Sequence, residues 1–248
     1  MASGKYLIED FPVISKNTDQ KEGQNYFNPG AVILMDKPLN WTSFDVVKYV
    51  RNRVPVKKVG HAGTLDPLAT GLLICCCGKA TKTISQFQEL KKVYSATITF
   101  GASTPSYDAA TEPDQTADWN HIGESKLKEL LISRFTGTIM QKPPIYSALR
   151  VNGKRLYKYA RKGQDVEIAE RPVTIFDIQV DSFDLPEVKL TVTCGKGTYI
   201  RSLAHDLGLA LGSCAHLSKL RRIATGSYSA ENAFKPEEIH DYLNGVTE

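Results

Sequence analysis

The run LLICCC, Leu72–Cys77, leaves the chain few ways to fold. Six successive apolar residues between Gly71 and Gly78 fit a strand buried on both faces, and they are far too few to span a membrane. A second run, AVILMD (Ala31–Asp36), ends in Lys37-Pro38 and reads as another buried strand entering a loop. KVYSATITF (Lys92–Phe100) alternates instead, which places Tyr94, Ala96, Ile98 and Phe100 on one face. VTIFDIQV and VKLTVTC add two more strand-like runs. Helical patterns lie among these strands. TSFDVVKYVRNR opens on Thr42 and Asp45, spaced as a capping box, with Phe44, Val47 and Val50 following at helical intervals. ESKLKELLISRF turns Leu127, Leu130 and Leu131 inward. TYIRSLAHDLGLALG gathers Ile200, Leu203, Ala204, Leu207 and Leu211 on one stripe, stopped by Gly212. Strands and helices follow no βαβ rhythm, so the class is α+β.

The remaining segments read as connections. Residues 1–27 are polar and unpatterned, an appendage. Gly60–Gly71 is a loop, and residues 101–123, rich in Pro, Ser, Thr and Asp, form a long one of the kind kept for function or left mobile. TGTIMQKPPIYSALRVNGKRLYKYARKG begins extended and ends in a short basic helix.

With 248 residues, 42% of them hydrophobic and 23% charged, the chain can bury the core of one large domain or two small lobes. The opening MASGKYLIEDFPVISK lacks the apolar centre of a signal peptide, so a cytoplasmic location is expected. Cys75, Cys76, Cys77, Cys194 and Cys214 have no metal-ligand spacing and read as small buried apolar residues. A net charge of +4 does not by itself announce a nucleic-acid partner. Local density says more. VRNRVPVKK (Val50–Lys58), LRVNGKRLYKYARKG (Leu149–Gly163) and KLRR (Lys219–Arg222) hold much of the basic charge. Any one of them could be a solvated face. The middle run threads Tyr157 and Tyr159 among its cations, and cations meet phosphates while aromatic faces stack on bases.

Two apparent nucleotide motifs fail. In GLLICCCGKAT, six residues separate Gly71 from Gly78 and Ala80 follows Lys79, whereas a phosphate loop needs four and then Lys with Ser or Thr. CGKGTYIR lacks the third glycine of a dinucleotide loop. Asp66 in GHAGTLDPLATG sits before Pro67 among glycines, which fits an ordinary turn. It also fits a reactive group held on a loop between buried strands, where a carboxylate with neither metal ligands nor a paired acid suits nucleophile or general-base work. Arg201 falls off the apolar stripe of its helix and reads as a surface cation on pattern alone. If it meets Asp66, it would keep that carboxylate ionised and oriented. Tyr94 and Tyr199 read equally well as core aromatics.

Taken in order, DKPLNWTS, GHAGTLDPLATGLL, KVYSATITFG, QKPPIYSALRVNGKRLYKYARKG, GTYIRSLAHDLG and HLSKLRR closely resemble the tRNA pseudouridine synthase B family, from roughly Asn28 to Tyr228. The resemblance implies a pseudouridine synthase fold: a mixed, mostly antiparallel bent sheet flanked by helices and loops, with the active-site cleft in the middle. It implies isomerisation of the TΨC-loop uridine, conventionally position fifty-five of tRNA, with no cofactor and no metal. By position, Asp66 matches the catalytic aspartate, Tyr94 the tyrosine that stacks on the target base, and Arg201 the arginine paired with that aspartate. Tyr199 and Leu220 match pocket residues, His61 a histidine holding the flipped nucleotide, and Lys82 a lysine near the substrate. Residues 141–163, including Lys154 and Arg155, match the insertion that grips the RNA arm.

The organisation expected is an extension over 1–27, a catalytic domain over 28–230 and a short tail over 231–248 without a separate RNA-binding domain. The expected partner is the T-arm of tRNA, with no membrane, no obligatory protein partner and a monomeric state. The family usually carries glycine where Asn40 stands, a position asparagine tolerates in a left-handed backbone, and often glycine near Thr111. Two alternatives stay open: a uridine isomerase acting on another RNA, and a noncatalytic RNA-binding or RNA-folding module.

Overall fold

A computed structural model of the chain describes residues 6–19, 26–151 and 153–244. In chain order these form β1 (Val13–Ile14), β2 (Gly30–Lys37), α1 (Ser43–Arg51), β3 (Val59–His61), β4 (Ala69–Gly78), α2 (Ile84–Glu89) and β5 (Lys92–Phe100). There follow β6 (Ala102–Ser103), β7 (Gln115–Thr116), α3 (Glu124–Arg134), β8 (Gly137–Gln141), β9 (Arg150–Val151), β10 (Lys154–Arg155) and α4 (Leu156–Ala160). The chain then runs through β11 (Arg171–Asp184), β12 (Glu187–Cys194), α5 (Ile200–Ala210), β13 (Ala215–Thr225), β14 (Tyr228–Ser229) and α6 (Pro236–Asn244). The class is α+β, as expected. Pairing is antiparallel in β2 with β4, β3 with β4, and β11 with both β12 and β8, while β1 joins β2 in parallel. The chain divides into two compact units, residues 1–93 with 221–248, and residues 94–220.

In the first unit the apolar run does what its composition requires. β2 pairs along its whole length with β4, from Gly30↔Gly78 to Lys37↔Gly71, and β3 joins β4 through His61↔Cys75. The side chains of β4 alternate between two cores. Leu73, Cys75 and Cys77 pack with Ile33, Met35, Val46 and Val50, whereas Leu72, Ile74 and Cys76 pack with Val32, Leu34 and Phe87. All five cysteines are buried, and desolvation pushes the Cys76 and Cys77 thiols up to about 12, so those two stay unreactive. Within the first 27 residues, Phe11 and Ile14 are buried and β1 is in register with β2; residues 1–5 and 20–25 lie outside the described residues.

Helix α1 starts where the capping box places it. Thr42 Oγ1 accepts from Asp45 N at 3.1 Å and Asp45 Oδ2 accepts from Thr42 N at 2.8 Å. Such a cap is worth about 1 kcal/mol. The buried arc is Ser43, Val46, Val47 and Val50, which includes Val47 and Val50 of the expected stripe but not Phe44, 61% exposed. At 100° per residue Phe44 lies well off the arc that Val46 and Val50 define. Of the C-terminal tail, α6 packs through Ile239 into the first unit's core, and residues 245–248 lie outside the described residues.

In the second unit β5, β12, β11 and β8 lie in that order. Ala96, Ile98 and Phe100 from β5 meet Val188, Leu190 and Val192 from β12, with Leu127 and Leu131 of α3 and Leu203, Ala204 and Leu207 of α5. The stretch 101–123 is not unbroken loop, because β6 pairs with β7 through Ala102↔Thr116. Likewise the loop expected at Gly60–Gly71 is shorter, since β3 runs to His61 and β4 begins at Ala69. Among the described residues no helix is long and apolar enough to cross a membrane.

Candidate active site

Asp66 occupies the connection between β3 and β4, and the first unit holds that connection at three backbone positions, Gly63, Leu65 and Pro67. Upstream of it, the buried Ser43 hydroxyl donates to the Leu65 carbonyl at 3.0 Å and accepts from the Leu65 amide at 2.8 Å. Downstream, the Pro67 carbonyl accepts from Asn40 N at 2.9 Å and from Lys37 Nζ at 3.2 Å. Asn40 adopts φ 65, the left-handed conformation its place in the motif calls for. Earlier in the loop, Arg222 Nη2 donates to the Gly63 carbonyl at 3.2 Å while its Nε donates to Leu72 O at 2.7 Å. The turn reading of Asp66 holds as well, since Ala69 N donates to its carbonyl at 3.0 Å. Asp66 is thus a turn residue whose neighbours on both sides are pinned, and its side chain is only partly buried.

The close approach of β4 to Arg222 requires Gly71. At φ +100, a Cβ there would overlap the Arg222 carbonyl. Arg222 itself is 1% exposed, and the neighbouring Arg221 forks onto Asp36 at 2.9 and 2.7 Å. Within KLRR, Arg222 is thus buried and Arg221 is paired, while Lys219 stays exposed. The two arginines are structural, and their backbone and carboxylate partners lie more than a hundred residues away in sequence.

Lys37 is fully buried and donates to the carbonyls of Pro38 at 2.9 Å, Trp41 at 2.6 Å and Pro67 at 3.2 Å. Burial lowers its pKa to about 8, against the upward pull of the Asp66 charge close by. It remains largely protonated at neutral pH, a buried ammonium fixing the Asp66 loop. Replacing it with methionine removes an unfavourable buried charge but also takes the donor from the Pro38, Trp41 and Pro67 carbonyls. Lys37→Met is expected to destabilise the fold by about 1–3 kcal/mol. Any reaction that depends on Asp66 should also slow by about tenfold to a hundredfold, because the Pro67 carbonyl is released and the carboxylate loses its aim. Denaturant melts beside rate measurements check this, and an undiminished rate would remove Lys37 from the site. His61, at the end of β3, has its pKa lowered by burial and further by the Arg222 charge, so its ring is neutral at pH 7.

In the second unit Arg201 is 4% exposed, which corrects the surface reading. The first turn of α5 is enclosed on every side, with Ile200, Arg201, Ser202, Leu203 and Ala204 all buried, so a stripe pattern carries no information there. The guanidinium donates to Ser106 O and Tyr146 O, each at 3.0 Å, and its Nε lies 3.6 Å from Asp108 Oδ2. Asp108 is 7% exposed. Its Oδ1 accepts from Ser106 Oγ at 2.6 Å and from Ala110 N at 3.0 Å. Thr111, where the family often has glycine, closes the same turn by bonding Ser106 N at 3.2 Å and contacting Ser106 Oγ at 2.9 Å.

The N-terminus of α5 is fastened by Gln141. Its side-chain amide donates to Tyr199 O at 3.0 Å and its carbonyl accepts from Tyr199 N at 2.8 Å. The Tyr199 ring, half-buried, carries the Arg171 guanidinium 5.2 Å from its centroid. Tyr94 and Leu220 are partly buried against the second unit's core. Lys154 and Arg155 are exposed on β10 of the small β9–β10 hairpin. Lys82 is exposed in the turn after β4, its ammonium 5.0 Å from the Tyr6 ring.

Lys37, Ser43, Asp108, Gln141 and Arg222 escaped the motif reading. Only Asp108 left a sequence signal, an acid in a polar loop too long to be a mere connection.

Residues 51–200 match the model of the TruB family pseudouridylate synthase N-terminal domain, and residues 201–247 match that of the tRNA pseudouridylate synthase B C-terminal domain. The chain is similar to tRNA pseudouridine synthase B of Parabacteroides distasonis, 47% identical over 88% of this chain and 94% of that one. It is similar also to that of Flavobacterium johnsoniae, 50% identical over 82% of this chain and 92% of that one. Among solved structures, a chain of a Cbf5-Nop10-Gar1 complex superposes with TM-score 0.69 at 27% identity, covering 98% of this chain and 69% of that chain. An archaeal box H/ACA sRNP Nop10-Cbf5 complex gives TM-score 0.65 at 24% identity, where this chain, 94% covered, spans 65% of the other's length, and it supports the fold alone. The chain belongs to the TruB family of pseudouridylate synthases.

Proposed function

We propose that this chain isomerises a uridine in the T-arm of tRNA to pseudouridine, with Asp66 as the reacting carboxylate. The observation that carries this reading is the pinning of the Asp66 loop through Leu65, Pro67 and Gly63 while the aspartate side chain keeps access to solvent. A turn with no task does not need a buried ammonium, a buried guanidinium and a buried hydroxyl to fix its backbone. The names of the curated relatives support the substrate.

In the reaction the bond from ribose C1′ to uracil N1 breaks, the uracil turns, C5 bonds to C1′, the C5 hydrogen leaves as a proton, and N1 takes up a proton to become N–H. No electron is gained or lost overall. An ionised Asp66 can drive it by adding to C1′ or by removing a ribose proton. The base must first leave its stack, at a cost of a few kcal/mol. Tyr94, Tyr199 and Leu220 are assigned to the walls that replace the lost stacking, and His61 and Lys82 to contacts with the everted nucleotide. Arg201 is assigned to the charge balance around Asp66. Lys154 and Arg155, both exposed, are assigned to the phosphates of the RNA arm.

We assign the activity to the protein acting alone as a monomer, with residues 28–230 as the catalytic region. The purified chain, incubated with unmodified tRNA transcript and nothing else, is expected to produce one new carbodiimide-dependent stop in the T-loop. Binding without a stop would favour a noncatalytic RNA module, and a stop only in another RNA would favour a different substrate.

A further inference from the structure

Tyr107 is one of two described non-glycine residues with positive φ, at 61°, and it immediately precedes Asp108. A tyrosine gains nothing from a left-handed backbone unless its surroundings hold it there. What holds its side chain is His205. The two rings are stacked, 3.9 Å between centroids and 12° from parallel. His205 lies four residues after Arg201 on α5, so both project from the same helix face, one turn apart. The turn over Thr104–Thr111 is therefore fastened to α5 at two points. Arg201 takes Ser106 O and faces Asp108, and His205 takes the Tyr107 ring.

The backbone around Tyr107 is closed on both sides. Its amide donates to Thr104 O at 3.0 Å and its carbonyl accepts from Leu217 N at 3.0 Å. Thr104 Oγ1 donates to Asp108 O at 2.7 Å. His205 Nδ1 is buried with no hydrogen-bond partner among the described residues, so polar bonding by that atom does not explain the ring's position. Burial lowers its pKa against the weaker pull of Asp114, which keeps the ring neutral at pH 7.

We infer that the Tyr107–His205 stack is a positioning device for the reaction: it holds Tyr107 in its left-handed conformation and thereby fixes where Asp108 meets Arg201. Neither ring is assigned contact with the RNA. The inference rests on the proposed isomerase reading for its kinetic readout, but its structural readout does not.

Four variants separate the ring from the backbone. Tyr107→Phe keeps both stack and conformation and is expected to turn over at the wild-type rate. Tyr107→Ala loses the stack and cannot favour the conformation, and His205→Ala loses the stack from the other side; each is expected to lower single-turnover kcat by roughly tenfold or more with RNA Kd unchanged. Tyr107→Gly accepts positive φ without a ring, so it should recover part of the rate that Tyr107→Ala loses. Independently of turnover, the Arg201 Nε–H proton should exchange slowly with solvent in wild type and Tyr107→Phe, and fast in Tyr107→Ala and His205→Ala. Unchanged exchange and rate in the two alanine variants overturn the inference. So does a rate loss that appears in Kd, which would make Tyr107 an RNA contact. If the wild type makes no pseudouridine, the exchange measurement alone decides the positioning claim while the isomerase reading falls separately.

Discussion

Asp66→Asn is expected to abolish pseudouridine formation, a fall of at least about a thousandfold, while tRNA affinity stays within about threefold of wild type. The substitution keeps volume and turn preference, because asparagine suits the same turns as aspartate. It leaves in place the contacts by which Ser43, Lys37, Asn40 and Arg222 hold the backbone of Leu65, Pro67 and Gly63. What disappears is the charge that adds to carbon or takes a proton. Asp66→Glu should also fail, since a pinned loop cannot retreat to absorb an extra methylene. Tritium release from C5-labelled tRNA reports the rate and filter binding reports the affinity. More than a tenth of wild-type turnover in Asp66→Asn would remove this residue from the chemistry.

Arg201→Ala is expected to be costly in both stability and rate. It strips the donor from the Ser106 and Tyr146 carbonyls and leaves Asp108 buried beside an uncompensated space. Breaking one side of a buried pair costs about 3–5 kcal/mol, for a melting temperature lower by roughly 10 °C in a chain of this size. Single-turnover rate should fall by about a hundredfold or more, because the turn that includes Asp108 and the start of α5 lose their common anchor. Asp108→Ala should cost less stability, because the guanidinium keeps the Ser106 and Tyr146 carbonyls. Since the two residues act through one contact, the double variant is expected to lose clearly less than the sum of the single losses. Calorimetry of the four proteins completes the cycle. Strict additivity would mean that Nε and the Asp108 carboxylate do not interact to any useful extent.

Legibility in the sequence followed distance along the chain. The Thr42–Asp45 cap of α1 and the two-faced burial of Leu72–Cys77 are decided by residues within a turn or a strand of one another, and both were readable. Asp66 was readable as a turn, which the Ala69 amide closes, while its role as the reacting group is proposed on the family motifs. Nothing local announces that Arg222 is buried, because its partners are Leu72 and Gly63, brought in by β13 and the glycine at position 71. The same holds for Arg201. Its burial is imposed by the turn at Ser106 and the strand leading to Tyr146, neither of which leaves a periodic trace in α5. Phe44 failed for the opposite reason, a helical interval that was real but pointed outward. A periodicity marks a face; it does not say what covers it.

Lys37 carries one further implication. Its folded pKa of about 8 lies below the ordinary 10.5, so across that window the unfolded chain still holds a proton that the folded chain has given up. Stability contributed by this group therefore rises with pH between those two values. The same deprotonation turns the ammonium beneath the aspartate loop into an amine, with one N–H fewer for the three carbonyls it serves. Alkali should thus toughen the scaffold and blunt the catalyst through one atom, so resistance to heat is a poor guide to how well this protein works.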